Sequence, residues 1–486
     1  MRPTLTAALL SLSAILIAPA ALLRAEAPED AAVATAADVV GTWDGHVDVF
    51  GQQLRMIFKV TRRDTGDLAA TISIPAQMVS DTALDSVSLD AGKFVLEWKL
   101  VGAVWDLSIN ADATAAEGLL KQNGMEFPAK LSKLLAGEEV DTTVNRPQTP
   151  KPPFPYETSE VEFRSRADDA GLVGTICIPE GDGPHPAVVF ITGSGAQDRD
   201  ETIFDHKPFL VLADDLARHG IASLRYDDRG VGGSEGDISR ATADTFAGDV
   251  LGAIALLKEM PSIDIDHIGL IGHSEGGIIA PLVASRSPDV AFIVLMAGTG
   301  VPGGDVLKVQ VRAILEASGV QPAEIARQLA DQKKTLELIH DAERRDELTE
   351  HVRGALKRQM PNLEEEALDE MTQAQTAMVT SPWFVSFVDH DPRVALRRVT
   401  CPVLAINGSK DVQVVPSQNL PEIRAALEAA GNADVTIREL PGLNHMFQEC
   451  TKGTIDEYAQ IEQTIHPRVI EMIRDWIREK SGLAAE

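Results

Sequence analysis

Short apolar runs alternate with polar residues in the first third of the chain, with almost no helical periodicity. Four such runs are Leu54–Val60, Leu68–Ile74, Phe94–Leu100 and Trp105–Ile109. Turn residues separate these runs, as expected for consecutive antiparallel strands. We therefore predict an all-β leader domain over residues 38–135, a small barrel or sandwich whose core is filled by Trp43, Phe58 and Trp98.

The pattern changes after residues 145–156, a proline-rich stretch that fits a stiff linker better than a helix or a central strand. From residue 157 to 486, apolar runs alternate with helical patterns, which predicts an α/β domain with a mostly parallel sheet covered on both faces. The eight predicted strands are Val161–Arg164, Leu172–Ile178, Ala187–Thr192, Ala222–Tyr226, Ile268–Gly272, Ala291–Met296, Val403–Asn407 and Val435–Leu440. The predicted helices are Phe209–Arg218, Ala241–Met260, Gly276–Ser285, Pro421–Ala429 and His466–Lys480.

A charged segment with helical patterning, about 303–390, separates the sixth predicted strand from the seventh. It is too long to be a loop in a compact domain, so it must have structure of its own. We predict a helical cap over the edge of the sheet.

The N-terminus has the three regions of a secretory signal peptide over residues 1–27. Arg2 precedes an apolar run from Leu5 to Leu23, and Ala25-Glu26-Ala27 offers a small-residue cleavage site. Pro19 interrupts the run, which disfavours a membrane anchor. We expect an exported protein, periplasmic or secreted, without stable membrane insertion after cleavage.

The net charge and the cysteine content limit the binding partners, disulfides and metal sites that can be expected. The formal net charge is −29, which makes nucleic acid an unfavourable partner. Cys177, Cys401 and Cys450 have no metal-ligand spacing and allow at most one disulfide, and we expect buried, inert thiols at Cys177 and Cys401, which lie in apolar strand-like runs. The sequence predicts no metal site, and it leaves the oligomeric state open.

The motif Gly272-His273-Ser274-Glu275-Gly276 lies between a predicted strand and a predicted helix. A nucleophilic serine in this context needs a tight turn, in which glycines at both ends of the motif avoid clashes. The helix start also favours the negative charge that develops in acyl transfer. We predict Ser274 as the nucleophile and the Glu275 backbone N–H as one oxyanion-hole donor; a plain glycine-rich turn is the alternative.

A serine nucleophile needs a base and an acid, and in this type of sheet they follow in the order serine, acid, histidine. Asp411 follows the seventh predicted strand and His445 follows the eighth, so we predict them as acid and base. The runners-up are Asp391, which suits a helix cap before Pro392, and His466, which suits a cap before Pro467.

The loop after the third predicted strand should supply the second oxyanion donor. Its glycines permit close approach of the backbone to a substrate, and we predict the Ser194 N–H, with Gly195 as the next choice. A phosphate-binding loop fits poorly, because neither the glycine spacing nor a following lysine is present. A local ion-pair network is expected of Asp198, Arg199 and Asp200.

These motifs resemble those of the α/β-hydrolase superfamily, specifically bacterial esterases related to serine aminopeptidase-like hydrolases. The matching segments, besides the serine motif, are 193–201, 225–234, 408–414 and 442–445. The resemblance implies carboxylic-ester hydrolysis without metal or organic cofactor, and a structural role for 225–234. Residues 38–135 resemble the β-rich leader domain of some exported members. Thr192-Gly193 replaces the usual His-Gly at the start of the oxyanion loop.

The sequence thus predicts a serine carboxylesterase that acts on small or medium acyl esters through an acyl-enzyme. Trp383, Phe384 and Phe387 are candidates for an acyl pocket, and simple packing of the cap is the alternative. A peptidase that binds a free amino terminus through the Glu364, Glu365 and Glu366 carboxylates remains open, as do a thioesterase or acyltransferase. An exported noncatalytic binding protein, with the leader domain as its working part, is the alternative of another class.

Overall fold

A computed structural model describes residues 39–49, 52–75, 79–122, 125–135, 138, 145–360, 363 and 365–483. The predicted signal peptide lies outside these residues. In this part of the chain, every helix is too short or too polar to cross a lipid bilayer. None of the three cysteines, all of which are described, forms a disulfide; Cys177 is buried as predicted, whereas Cys401 and Cys450 are partly exposed.

The chain divides into two compact units between Asn145 and Arg146. The β-rich unit contains the described residues up to Asn145 and also Thr349–Ala374, whereas the α/β unit contains Arg146–Leu348 and the residues from Gln375 onward. The units therefore divide the helical insertion, which the sequence analysis treats as one cap on the α/β domain.

Nine antiparallel strands form one sheet in the β-rich unit, in the order β4-β3-β2-β1-β9-β8-β7-β6-β5. They are β1 Gly41–Val49, β2 Gln52–Arg62, β3 Leu68–Ile74, β4 Val79–Ala83, β5 Ser86–Asp90, β6 Lys93–Trp98, β7 Ala103–Ile109, β8 Ala115–Gln122 and β9 Met125–Lys133. Because β3 and β5 lie next to each other, the sheet is rolled around one core, closer to the barrel than to the two-sheet sandwich of the prediction.

Aromatic side chains fill the interior of this rolled sheet. Trp43 packs against Phe94 with ring centroids 5.5 Å apart, and Phe58 meets Trp105 edge to face at 5.1 Å. All four are fully buried, and Trp98 packs at the margin, partly buried. Each large buried side chain contributes about 1.5–3 kcal/mol of hydrophobic stabilisation.

The α/β unit is built on an eight-stranded sheet of order β10-β11-β13-β12-β14-β15-β16-β17. Its strands are β10 Glu157–Arg164, β11 Gly171–Ile178, β12 His185–Ile191, β13 Ala222–Tyr226, β14 Ile263–His273, β15 Phe292–Met296, β16 Val403–Gly408 and β17 Val435–Leu440. The first two pairings are antiparallel and the other pairings are parallel. Each of the eight strands overlaps a predicted one, although β10 and β14 begin four and five residues earlier than predicted, and the predicted fold class is confirmed.

Helices cover both faces of this sheet and form the insertion. They are α1 Pro208–Arg218, α2 Ala243–Lys258, α3 Gly276–Ala284, α4 Gly303–Ala317, α5 Pro322–Leu338, α6 Arg345–Gln359, α7 Glu365–Val379, α8 Pro382–Asp389, α9 Pro392–Leu396, α10 Pro416–Ala429, α11 Ile455–Tyr458 and α12 Pro467–Lys480. One face packs against α2, α3, α9 and α10, and the other against α1 and α12. Helix α10 begins five residues before the predicted Pro421, because Pro416 occupies its first turn and Pro421 lies inside it.

The proline-rich stretch contains neither helix nor strand, and its first side chains are fixed within the α/β unit. The Arg146 guanidinium donates hydrogen bonds of 2.8–3.1 Å to the carbonyl oxygens of Phe204, Ala459 and Ile461. Gln148 bonds to the backbone at 464–465 through both ends of its amide. Residues 146–148 therefore form part of the α/β unit.

Candidate active site

Ser274 stands at the turn between β14 and α3, at the carboxyl edge of the sheet. Its φ of +52° lies in the left-handed region, which residues with a side chain rarely adopt. Its backbone N–H donates to the Met296 carbonyl oxygen at 2.9 Å. A Cβ on Gly272 would lie 2.1 Å from the Gly276 carbonyl oxygen, and a Cβ on Gly276 would lie 2.2 Å from that of Ile191. The glycines are therefore required by close backbone packing around the serine.

Asp411 and His445 follow β16 and β17 and form a buried pair. His445 Nδ1 lies 2.8 Å from Asp411 Oδ2, and the two side chains are 6% and 0% exposed. The other Asp411 oxygen accepts the backbone N–H groups of Gln413 and Val414, both at 2.8 Å. This arrangement makes Nδ1 the protonated nitrogen and leaves Nε2 available as a base.

The backbone of His445 also contacts the end of β14, next to the turn that carries Ser274. Its carbonyl oxygen is 3.1 Å from His273 Nε2, and the rings of the two histidines are 4.7 Å apart. Among the described residues, no hydrogen bond joins the Ser274 hydroxyl to His445. Such contacts often tighten only when substrate is bound.

Asp391 and His466, the alternatives to Asp411 and His445, serve as helix caps. The Asp391 carboxylate accepts the Arg393 N–H at the start of α9, and the Arg393 guanidinium holds the pKa of Asp391 below its ordinary value. His466 accepts the Arg468 N–H at the start of α12. Both roles agree with the sequence-based interpretation of these residues.

The loop after β12 is tied down by buried carboxylates. The Thr192 hydroxyl donates to Asp228 at 2.7 Å, and the Gly193 N–H donates to Glu201 at the same distance. Burial raises the pKa of Asp228 well above its ordinary value. The hydrogen bonds that Asp228 accepts from Thr192 and Gln197 lower this pKa, but by less than burial raises it. Thr192 thus anchors the start of the loop, where the resemblance expects histidine.

The backbone N–H groups of Ser194 and Glu275, the two predicted oxyanion donors, have no hydrogen-bond partner among the described residues. The same holds for the N–H of Gly195, the next choice in the loop. A Cβ on Gly193 would lie 3.3 Å from the Ser274 Cβ, which places the loop next to the serine. The Gly193 N–H is already used by Glu201 and is therefore not available to a substrate.

The predicted ion-pair network is wider than its three residues. Arg199 binds Asp227 at 2.7 Å, and Arg225 pairs with Asp200. Asp198 accepts the Asp200 and Thr202 backbone N–H groups instead of pairing with a cation. The network joins the loop after β12 to the loop after β13, as the resemblance implies for a structural 225–234 segment.

Of the three aromatic candidates, Trp383 lies beside the serine motif. Its indole N–H is 3.2 Å from both carboxylate oxygens of Glu275. Phe384 and Phe387 have ring centroids 6.2 and 6.5 Å from Trp383, and Phe387 packs on the main core. Helix α8 therefore meets the serine motif through Trp383.

The Glu275 side chain is buried and has no positively charged partner among the described residues. Burial raises its pKa to about 7, and the Trp383 hydrogen bond opposes this effect only in part. The sequence predicts a role for the Glu275 backbone N–H only, and this buried carboxyl was not predicted.

A second carboxylate–histidine pair was also missed by the sequence analysis. His273 Nδ1 is 2.9 Å from Glu201 Oε1, and both side chains are at most 5% exposed. The two residues are 72 positions apart, and neither carries a motif that links it to the other.

The model of the serine aminopeptidase S33 family of hydrolases matches residues 207–449, which is half of the chain and contains Ser274, Asp411 and His445. The chain belongs to this family. The S33 match begins at the residue before α1 and ends after the His445 loop.

This S33 chain is also 29% identical over 308 residues to esterase EstD of Thermotoga maritima, covering 63% of this chain. It spans 65% of the length of that relative. An esterase of Pyrococcus furiosus aligns with 67% of this chain and 91% of its own, at 15% identity and a TM-score of 0.42. The α/β hydrolase GrgF from Penicillium aligns with 67% of this chain and 99% of its own, at 16% identity and a TM-score of 0.42.

Proposed function

We propose that the α/β unit is a serine carboxylic-ester hydrolase with Ser274, His445 and Asp411 as its catalytic triad. The observation that carries this proposal is the strained Ser274 turn beside the buried Asp411–His445 pair. The likeness to an esterase of Thermotoga maritima supports esters as the substrate class.

The proposed reaction is two-step acyl transfer. His445 Nε2 takes the Ser274 proton, and the serine oxygen attacks the ester carbonyl while the Ser194 and Glu275 N–H groups stabilise the oxyanion. The alcohol leaves with the proton from His445. Water then hydrolyses the acyl-enzyme by the same steps, and Asp411 holds the His445 tautomer throughout.

The reaction as proposed uses only groups of this chain and needs neither metal nor organic cofactor. We propose small or medium acyl esters as substrates. The Trp383 ring, held beside the serine motif by Glu275, is the best placed of the three aromatic side chains to contact an acyl chain.

The peptidase alternative depends on free carboxylates in the insertion to bind an ammonium group. Glu365 instead accepts from Lys357 at 2.8 Å and also pairs with Arg353. Glu366 is exposed, and Glu364 lies outside the described residues. A solvated helix face explains this charge run better than a substrate site, which favours the esterase.

The binding-protein alternative depends on a cavity in the leader domain. Trp43, Phe58, Phe94 and Trp105 occupy the interior of the rolled sheet, and this packing favours a structural core over a binding cavity. A thioesterase or an acyltransferase would use the same triad and differs only in its acyl donor or acceptor.

The test is hydrolysis of p-nitrophenyl esters from acetate to longer chains, beside amino-acid p-nitroanilides, by wild-type protein and Ser274→Ala. We expect ester turnover that falls by at least about 10⁴-fold in the variant. His466→Ala is the control, since it removes only a helix cap. Turnover of anilides without esters would replace the esterase by the peptidase, and no turnover of either would reopen the binding protein.

We also propose that the chain is exported with residues 1–27 as a cleaved signal peptide, and that the mature protein neither stays inserted in a membrane nor binds nucleic acid. Intact-mass measurement of protein recovered from the periplasm or medium tests this. A mature start within a few residues of Pro28 is expected, and a full-length chain retained in the membrane fraction would contradict it.

A further inference from the structure

The His273 ring faces a hydrogen-bond acceptor at each of its two nitrogens. Nδ1 lies 2.9 Å from the Glu201 carboxylate, and Nε2 lies 3.1 Å from the His445 carbonyl oxygen. A neutral imidazole carries a single N–H, so one of these contacts would set two lone pairs against each other. An imidazolium donates to both acceptors.

Burial makes this mismatch costly, because water has little access to either partner. His273 is 4% exposed and Glu201 is 1% exposed. A buried polar atom without its hydrogen bond costs about 1–3 kcal/mol. The doubly protonated ring removes that cost and pairs the Glu201 charge at the same time.

The alternative location for the extra proton is the Glu201 carboxyl. Glu201 Oε1 already accepts the Gly193 N–H at 2.7 Å in addition to the His273 contact. Two donors on one oxygen favour a carboxylate over a carboxyl. The geometry therefore places the proton on His273 and the negative charge on Glu201.

The charged groups around His273 agree with this. Burial acts to lower the pKa of His273, but the Glu201 charge and hydrogen bond, the His445 carbonyl and the Asp411 charge together raise it above its ordinary value. The other groups near this pair are the His445 ring, 4.7 Å from the His273 ring, the buried Asp228 carboxyl, whose pKa the Glu201 charge raises, and apolar side chains, among them Met296, Met446 and Phe447.

This pair links the three elements of the proposed site. Glu201 holds the oxyanion loop at Gly193, His273 precedes Ser274 in the nucleophile turn, and the His445 carbonyl belongs to the loop of the base. We propose that His273, kept as an imidazolium by Glu201, is a positioning residue that fixes His445 against the nucleophile turn and holds a permanent positive charge beside it.

The positive charge of the His273–Glu201 pair lies on the side that faces His445. His273 turns Nε2 toward His445 and Nδ1 toward Glu201, so the positive ring is nearer to the base than the carboxylate is. Removing this charge should therefore change the pH dependence of the reaction. This consequence rests on the proposed esterase, whereas the proton count on His273 does not.

The first experiment measures that proton count directly. Wild-type protein labelled with ¹⁵N-histidine is observed by NMR from pH 6 to 8, and His273→Gln identifies the His273 signals. We expect two protonated ring nitrogens over this whole range. A single protonated nitrogen at pH 7 would overturn the proposal, whatever the protein hydrolyses.

The second experiment uses Glu201→Gln, which keeps an amide oxygen as the acceptor for Gly193 and removes the charge that pairs with the His273 imidazolium. The acid limb of the kcat/KM profile on a p-nitrophenyl ester should shift to higher pH by about 0.5–1 pH unit, because the variant loses the positive charge of His273 beside His445. His273→Gln should lower kcat about 10-fold or more with little change in KM, since it loosens the base. His466→Gln, at a helix cap, should leave the profile unmoved.

The outcomes separate the two proposals. An unmoved acid limb in Glu201→Gln together with an unchanged kcat in His273→Gln, with both proteins folded by circular dichroism, would refute the positioning role even if His273 carries two protons. Absence of ester hydrolysis in the wild type would refute the proposed function, and the NMR result would then decide the protonation of His273 alone.

Discussion

Replacing Glu275 with glutamine should stabilise the protein at alkaline pH and leave its stability nearly unchanged at acidic pH. The carboxyl is 7% exposed, its hydrogen bonds come from Trp383, and burial raises its pKa from 4.5 to about 7. Because the folded pKa is the higher one, the stabilisation by the bound proton is fully present below pH 4.5 and is lost as the pH rises through 7. This difference in pKa corresponds to about 3 kcal/mol at pH 8.5, which glutamine, having no charge, does not lose.

Urea unfolding followed by circular dichroism at pH 5 and pH 8.5 measures the effect as a difference between wild type and variant. We expect the free energy of unfolding of Glu275→Gln to exceed that of the wild type by about 3 kcal/mol at pH 8.5, and by much less at pH 5. Glu428→Gln, an exposed glutamate on α10, is the matched control. The same difference at both pH values would show that the folded protein does not raise the proton affinity of Glu275, and the reasoning would fail.

Three further changes test other parts of the structure. Asp411→Asn should lower kcat for a p-nitrophenyl ester by about 10⁴-fold through the wrong His445 tautomer, and a loss below tenfold would contradict the triad. Gly277→Ala would place a Cβ 2.5 Å from the Gly298 Cα, so we expect a lower Tm and reduced turnover, whereas Gly354→Ala, with only a side-chain end 3.3 Å away, should keep both. Arg146→Ala leaves three carbonyls without their donor and should cost about 2–4 kcal/mol in urea unfolding, and an unchanged midpoint would exclude this role.

Strand positions in the α/β unit were predictable because each buried strand is a short apolar run bounded by turn residues. The strand before Ser274 is an example, since Ile268–Gly272 is uninterrupted and lies wholly within β14. The positions of Asp411 and His445 followed from chain order alone, because the carboxyl ends of parallel strands meet at one edge.

What the sequence did not indicate depends on contacts between distant segments. The Glu201–His273 pair joins the loop after β12 to the end of β14 through a buried hydrogen bond. Each residue lies in a recognised motif, but neither motif indicates that the two side chains meet. From the sequence, Glu275 is a polar residue in a turn next to the nucleophile. Its burial becomes evident only in the structure, where Trp383 packs against its carboxyl group. The division of the insertion between two units likewise has no signal in a uniformly helical, charged segment.

The anchoring of residues 146–148 has a consequence for how the chain is made. Arg146 and Gln148 bond to partners more than 300 positions later, so their partners are synthesised last. At about 5–20 residues per second, the start of the α/β unit waits tens of seconds for its closing contacts. A chain that stops before Ala459 would lack the Ala459 and Ile461 carbonyl groups that accept from the Arg146 guanidinium, and it should be a substrate for chaperones and proteases rather than a partly active enzyme.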